Sequence, residues 1–156
     1  MVDNAAKVLI AANSHVGLRE EPRGSNDGPD LRRVLKATPF QPGESWCFYF
    51  ALACLIEAFG GKEHIPSSVL FTGSCQLAAE HAAKLGKLSD ASAIGSIFVL
   101  HNAAGHFHHA GIVCSKPYRD AVINTIEGNT NNNGSANGDG VYRRGRPLAM
   151  LKFIIW

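Results

Sequence analysis

The stretch SWCFYFALACLIEAFGG, residues 45–61, is the most apolar of the chain, and its reading decides the fold. From Ser45 or Trp46 to Phe59 it has the length of a buried helix, and Gly60 and Gly61 stop it. Ser45 is the expected N-cap, which places Cys47 in the first turn. Upstream the chain also reads as helix. Residues 2–15 carry Ala6, Leu9, Ile10 and Ala12, with Val16, at helical spacing, and Gly17 closes that amphipathic segment. The segment LREEPRGSNDG (18–28) is loop, and Pro29 opens a short helix that DLRRVLKA (30–37) continues. A further helix covers about Ser74 to Leu85.

Downstream the period changes from helix to strand. SIFVL (96–100) and FHHAGIVC (107–114) are short runs rich in β-formers, and DAVINTIEG (120–128) alternates Val122, Asn124 and Ile126. GNTNNNGSANGDG (128–140) is a loop dense in Gly and Asn, and VYRR (141–144) and LKFIIW (151–156) close the chain as strands. Helices first and an antiparallel meander after give an α+β fold, N-terminal helices packed on an antiparallel sheet. No repeat or linker divides residues 1–156, so one domain is expected.

Composition narrows the function. Apolar residues make up 46% of the 156 and charged residues 18%, enough for a core and too little charge for disorder. The net charge of +2 suits a polyanionic surface such as a cell wall but is far below that of a nucleic-acid binder, so no nucleic acid is expected. The four cysteines, at 47, 54, 75 and 114, form no C-x-x-C pair. The first residues read neither as a signal peptide nor as a membrane span. Synthesis in the cytoplasm is the expectation.

Three groups carry chemistry. At a helix N-terminus, unpaired N–H groups and the positive dipole end favour a thiolate, and the same groups steady an oxyanion; Cys47 has that position. Cys54 lies deep in the same helix and reads as core, and Cys75 and Cys114 read as packing residues. In HFHHAGIV (106–113), alternation puts His109, Gly111 and Val113 on one face, and Gly111 leaves room for another element to approach His109. Glu127 and Asn129 sit in TIEGNTN (125–131), where the strand ends, and either suits the far nitrogen of an imidazole. Each group alone has an ordinary reading, as packing thiol, satisfied histidine or solvated turn former. A zinc alternative rests on His106 and His108 at H-x-H spacing, with His101 or Asp139 to complete it.

Taken together the residues resemble the CHAP family of cysteine, histidine-dependent amidohydrolases and peptidases, which has a papain-like fold. SWCFYFALACL looks like the family's Pro-Trp-Cys and apolar helix, HHAGIV like its Gly-His-Val-Gly-Ile-Val, and TIEGNTN like its acid-x-Asn block. GLREEPRGSNDGPD, GSIFVL and GDGVYRRGRPL add to the likeness. Ser45 stands where proline is common and His108 where glycine is. The resemblance implies Cys47 as nucleophile, His109 as base, Glu127 as the orienting acid, and Asn129 as polar helper or alternative third member. It implies peptidoglycan as substrate, either the N-acetylmuramoyl-L-alanine amide or a bond within the peptide, with no cofactor required. Some wall lysins of the family bind calcium, but NDGPD (26–30) lacks the regular acidic spacing of a loop-type calcium site, so no metal is expected. Action on the wall would follow release or export, and an immunity protein or a holin-type export partner fits such a life. The alternatives are a Cys–His amidase of non-wall substrates and a non-catalytic wall-binding module. Glu127→Gln is expected to be intermediate in rate, keeping orientation and losing charge.

Overall fold

In the computed structural model, which describes residues 3–119, 121–133 and 137–156, four helices precede a six-stranded sheet. The helices are α1 (Asn4–Ser14), α2 (Pro29–Leu35), α3 (Cys47–Phe59) and α4 (Cys75–Lys84). The strands are β1 (Leu88–Ser89), β2 (Ile97–His101), β3 (Phe107–Val113), β4 (Val122–Thr130), β5 (Gly140–Pro147) and β6 (Leu151–Ile154). The sheet is antiparallel in the order β1-β6-β2-β3-β4-β5, so the expected meander from β2 to β5 is joined by β6, which returns beside β2. The α+β expectation holds. The two-residue β1 had no counterpart in the sequence reading.

α3 is the central helix. Burial of ten of its thirteen residues follows from a sequence that is apolar on every side. It packs on one face of the sheet against Ile97, Val99, Ala110, Ile112, Ile126 and Ile154. The opposite face carries a smaller cluster of Phe98, Val113, Ile123, Leu151 and Phe153. α3 ends where expected. Gly60 takes the left-handed conformation at φ 79°, and the N–H groups of Gly60 and Gly61 both donate to the Ile56 carbonyl.

The start of α3 differs from expectation. Ser45 is not the N-cap; Trp46 is, and it makes no side-chain cap. The Trp46 indole Nε1 instead donates to the buried Glu20 carboxylate at 2.7 Å, a tie across 26 positions that replaces a local cap. α1 differs in its inner face. Val8, Ala11 and Ala12 are buried while Ile10 is 64% exposed, so the expected stripe is rotated. The loop at Gly95 approaches α1 closely, where a Cβ would lie 2.8 Å from the Ala5 Cα. Val2, Asp120 and the centre of the expected 128–140 loop lie outside the described residues. No helix among the described residues is long and apolar enough to cross a membrane.

Candidate active site

The site forms where the first turn of α3 meets β3 and β4. Antiparallel pairing of those strands registers Ile112 with Ile126 and Val113 with Thr125. One step further along, Gly111 faces Glu127. A Cβ on Gly111 would lie 2.8 Å from the Ile126 carbonyl oxygen and from the Phe98 ring, and 2.9 Å from Glu127 Cγ. The missing side chain is therefore the space through which Glu127 reaches the neighbouring histidine. The room expected beside His109 exists, and a carboxylate and a ring from adjacent strands fill it. Phe98 also packs against the imidazole, with ring centroids 6.1 Å apart.

His109 is fully buried, and its Nε2 lies 2.8 Å from Glu127 Oε2. A carboxylate only accepts, so Nε2 carries the proton. Nδ1, on the other side of the ring, is buried without a hydrogen bond of ordinary geometry. The Cys47 thiol stands beside this imidazole, near enough for each to shift the other's proton affinity. The expected alternation holds from His109 to Val113 and breaks at His108. Leu100 pairs with His109 and His101 with Phe107, so His108 is the extra residue of a β-bulge. Bulges beside reactive side chains commonly set their aim.

A second bulge shapes β4 between Glu127 and Thr130, and three successive residues there serve the site. Glu127 holds His109. Gly128 abuts α3, where a Cβ would lie 2.6 Å from Phe50 Cβ and from the Trp46 ring, so only glycine lets the helix start this close to the strand. Asn129, at φ 54°, turns its amide away from His109. With the amide oriented as its partners require, Nδ2 donates to the Gly138 carbonyl at 3.0 Å and Oδ1 accepts from the Trp46 N–H at 3.2 Å. The expectation of Asn129 as alternative third member is thus corrected: Glu127 alone of the two touches the histidine. Nor is Asn129 in a free loop, since β4 runs on to Thr130, which pairs with Gly140.

The carboxylate of Glu127 is saturated. Oε2 accepts from His109 Nε2 and, at 2.5 Å, from an Arg146 terminal nitrogen; Oε1 accepts from Arg146 Nε at 2.8 Å and from Thr125 Oγ1 at 2.6 Å. Burial alone would raise its pKa, but Arg146 and His109 outweigh burial and hold it at about 2. Burial likewise pulls His109 down, and Cys47 and Glu127 overcome that to raise it to about 9. Cys47 has one more neighbour, Cys75 at the start of α4, with the sulfurs 3.8 Å apart. The Cys75 thiol does most to hold Cys47 well below the ordinary thiol range. Burial opposes it, and His109 and the Ala110 N–H add to the lowering. Cys75 moves the opposite way, pushed up by its hydrogen bond to Cys47 and by burial, and of the two thiols only Cys47 also faces the imidazole. Burial pushes the Cys54 thiol well above the ordinary range and Cys114 to about 11.

The structure thus gathers Cys47, His109 and Glu127. It adds Cys75, which read in the sequence as a packing residue, and Arg146, Thr125 and Glu20, which the sequence reading passed over. The imidazoles of the zinc alternative are not assembled. Asp139 is tied to Arg23 and Tyr142, and no three His, Cys, Asp or Glu among the described residues are grouped to hold a metal ion. The broad cleft lined by Cys114, Asn124, Arg143 and Arg144 includes none of the three gathered residues. No protein-family model, curated protein or solved structure matches the chain.

Proposed function

We propose that this chain is a cysteine-dependent amidohydrolase of the papain-like CHAP type that cuts an amide bond in peptidoglycan. One observation carries the reading: a low-pKa thiol at the first residue of a buried helix stands beside an imidazole whose far nitrogen is held at 2.8 Å by a buried carboxylate. That arrangement is what nucleophilic acyl transfer needs.

The proposed course begins from a thiolate on Cys47 and an imidazolium on His109. The thiolate attacks the amide carbonyl, and the developing oxyanion is held by first-turn N–H groups of α3, which have no partners within the helix. Nδ1–H of His109 protonates the leaving amine, the C–N bond breaks, and a thioester remains on Cys47. His109 then takes a proton from water, whose hydroxide displaces Cys47 and releases the acid. Glu127 keeps Nε2–H in place throughout and balances the imidazolium charge. Only 3% of Cys47 is exposed. So narrow an opening favours a thin, extended acceptor such as a wall stem peptide over the surface of a folded protein.

The test is loss of turbidity of purified peptidoglycan, with Cys47→Ala as control and mass spectrometry of the released fragments. New amino and carboxyl ends from the wild type alone are the expected result, and their position tells the sugar–peptide amide from a bond within the stem. Intact peptidoglycan, with hydrolysis of small amides that Cys47→Ala lacks, would move the substrate away from the wall. No Cys47-dependent hydrolysis of any amide would end the enzymatic reading.

A further inference from the structure

The proposed mechanism leaves one reactive group unused. Cys75 is the first residue of α4, and its thiol lies 3.8 Å from that of Cys47. Its place is built, not incidental. Gly73 lies directly against the Tyr49 ring of α3, where any side chain would collide, so the chain entering α4 runs hard against the nucleophile's helix. Ser74 then caps α4, its hydroxyl accepting from the Leu77 N–H at 3.2 Å, and fixes the turn on which Cys75 sits. Cys47 and Cys75 are 3% and 5% exposed, so both thiols are largely shielded from bulk solvent. All four cysteines are free.

We propose that Cys75 is a resolving thiol, and that Cys47 and Cys75 together form an oxidation site for a small peroxide that switches the nucleophile off reversibly. The proposal rests on the reading of Cys47 as a thiolate. In the first step the Cys47 thiolate attacks one oxygen of hydrogen peroxide. The O–O bond breaks, the departing hydroxide takes the proton of the His109 imidazolium, and Cys47 becomes a sulfenic acid with release of water. In the second step the Cys75 sulfur attacks the Cys47 sulfur. The S–S bond forms, the S–O bond breaks, and the leaving hydroxyl takes the Cys75 proton as a second water. Two sulfurs lose one electron each, and the peroxide is reduced to water. A dithiol reverses the change by exchange and is itself oxidised to a disulfide.

Geometry and charge favour the second step. The sulfurs must close from 3.8 Å to the roughly 2.05 Å of a disulfide, a movement on the scale of side-chain rotation. In the resting site the hydrogen bond to Cys47 does most to push the Cys75 thiol up, burial adds to it, and the Cys47 charge comes after both. Sulfenic acid carries no charge, so oxidation of Cys47 removes the electrostatic obstacle to ionising its partner. The bridge also spares Cys47 from irreversible oxidation to the sulfinic acid.

The test treats the native full chain with hydrogen peroxide, blocks remaining thiols under denaturing conditions, and maps peptides without reduction. In the wild type, free thiols should fall from four to two. A Cys47–Cys75 linked peptide should appear, Cys54 and Cys114 should stay alkylatable, and dithiothreitol should restore all four. In Cys75→Ser the same exposure should carry Cys47 to sulfinic acid that dithiothreitol does not recover. Equal overoxidation of Cys47 in both proteins, or a bridge to Cys54 or Cys114, would overturn the proposal. The bridge is read without any wall substrate. A bridge in a protein that leaves peptidoglycan intact would therefore sink the proposed substrate and keep the switch; wall cleavage by a protein that forms no bridge would do the reverse.

Discussion

Replacing Glu127 by Gln changes one atom, and the structure says it removes more than charge. Both carboxylate oxygens accept from Arg146, so wherever the amide nitrogen is placed it meets a guanidinium N–H. The better arrangement puts the amide oxygen toward His109 and the nitrogen toward Thr125, whose hydroxyl can turn to accept. Arg146 Nε then loses its partner, and two cations face a neutral group. Breaking a buried ion pair costs about 3–5 kcal/mol, and because Arg146 keeps 12% of its side chain exposed the lower figure applies. At roughly 2–4 °C per kcal/mol for a chain of this size, the melting temperature should fall by about 6–12 °C. The imidazolium loses its counter-charge as well, so turnover near neutral pH should drop by about 10²–10⁴-fold. Glu127→Gln therefore belongs close to Glu127→Ala in rate, not between it and wild type as charge and orientation alone suggested. Steady-state turnover and calorimetry on both variants measure this. Adding Arg146→Gln to Glu127→Gln should return much of the stability and none of the rate. A folded Glu127→Gln protein with wild-type turnover and melting temperature would refute the account of this carboxylate.

Further outcomes are expected. Iodoacetamide should label Cys47 before Cys114 although Cys114 is the more exposed, because burial pushes Cys114 to about 11 while Cys47 is held low; mapping after a brief exposure decides, and prior labelling of Cys114 would remove the thiolate. The kcat/KM profile should fall as pH rises through about 9, where His109 loses the proton that the leaving amine needs. Stability follows the same group. The folded pKa of His109 lies above its ordinary 6.5, so its contribution is whole below 6.5 and lost as pH rises through about 9, whereas that of Glu127 is present above 4.5 and lost as pH falls toward about 2; melting temperature against pH should show both limbs. Gly128→Ala should force α3 off β4, cost about 1–3 kcal/mol and lower turnover. Asn129→Ala should lower the melting temperature while leaving the alkaline limb of kcat/KM in place, since its amide serves the Trp46 N–H and not the imidazole.

The parts of the site legible in the sequence are those written in local pattern. An apolar run of helical length fixed α3 and put Cys47 at its start, and strand alternation put His109 and Gly111 on one face. What was hidden depends on pairing between distant segments. Cys75 is 28 positions from Cys47 and Arg146 is 19 from Glu127, and no spacing rule connects either pair. Arg146 reads in RRGRP as one more surface cation until β5 is laid beside β4. The same cause misplaced Asn129. A run of Asn and Gly reads as loop from Gly128 on, but pairing of Thr130 with Gly140 carries the strand past it, and the bulge at Gly128 and Asn129 absorbs the misfit. Ser45 lost its capping role in a comparable way, because the buried Glu20 and Asn129 secure Trp46 from two distant segments.

The hidden residues also explain how four charges persist where water is scarce. In the proposed thiolate–imidazolium form the signs along Cys47, His109, Glu127 and Arg146 alternate, negative, positive, negative, positive, so each of these charges has an opposite neighbour in the row. Arg146 is the member that reaches toward solvent, with 12% of its side chain exposed against none for Glu127 and His109. Bonded to both oxygens of Glu127, Arg146 holds the carboxylate charged against burial, and the charged carboxylate fixes Nε2–H in place. The geometry of the third member is therefore inseparable from a fourth, which keeps Glu127 charged, and the rise of His109 to about 9 against burial comes from Cys47 and Glu127 together.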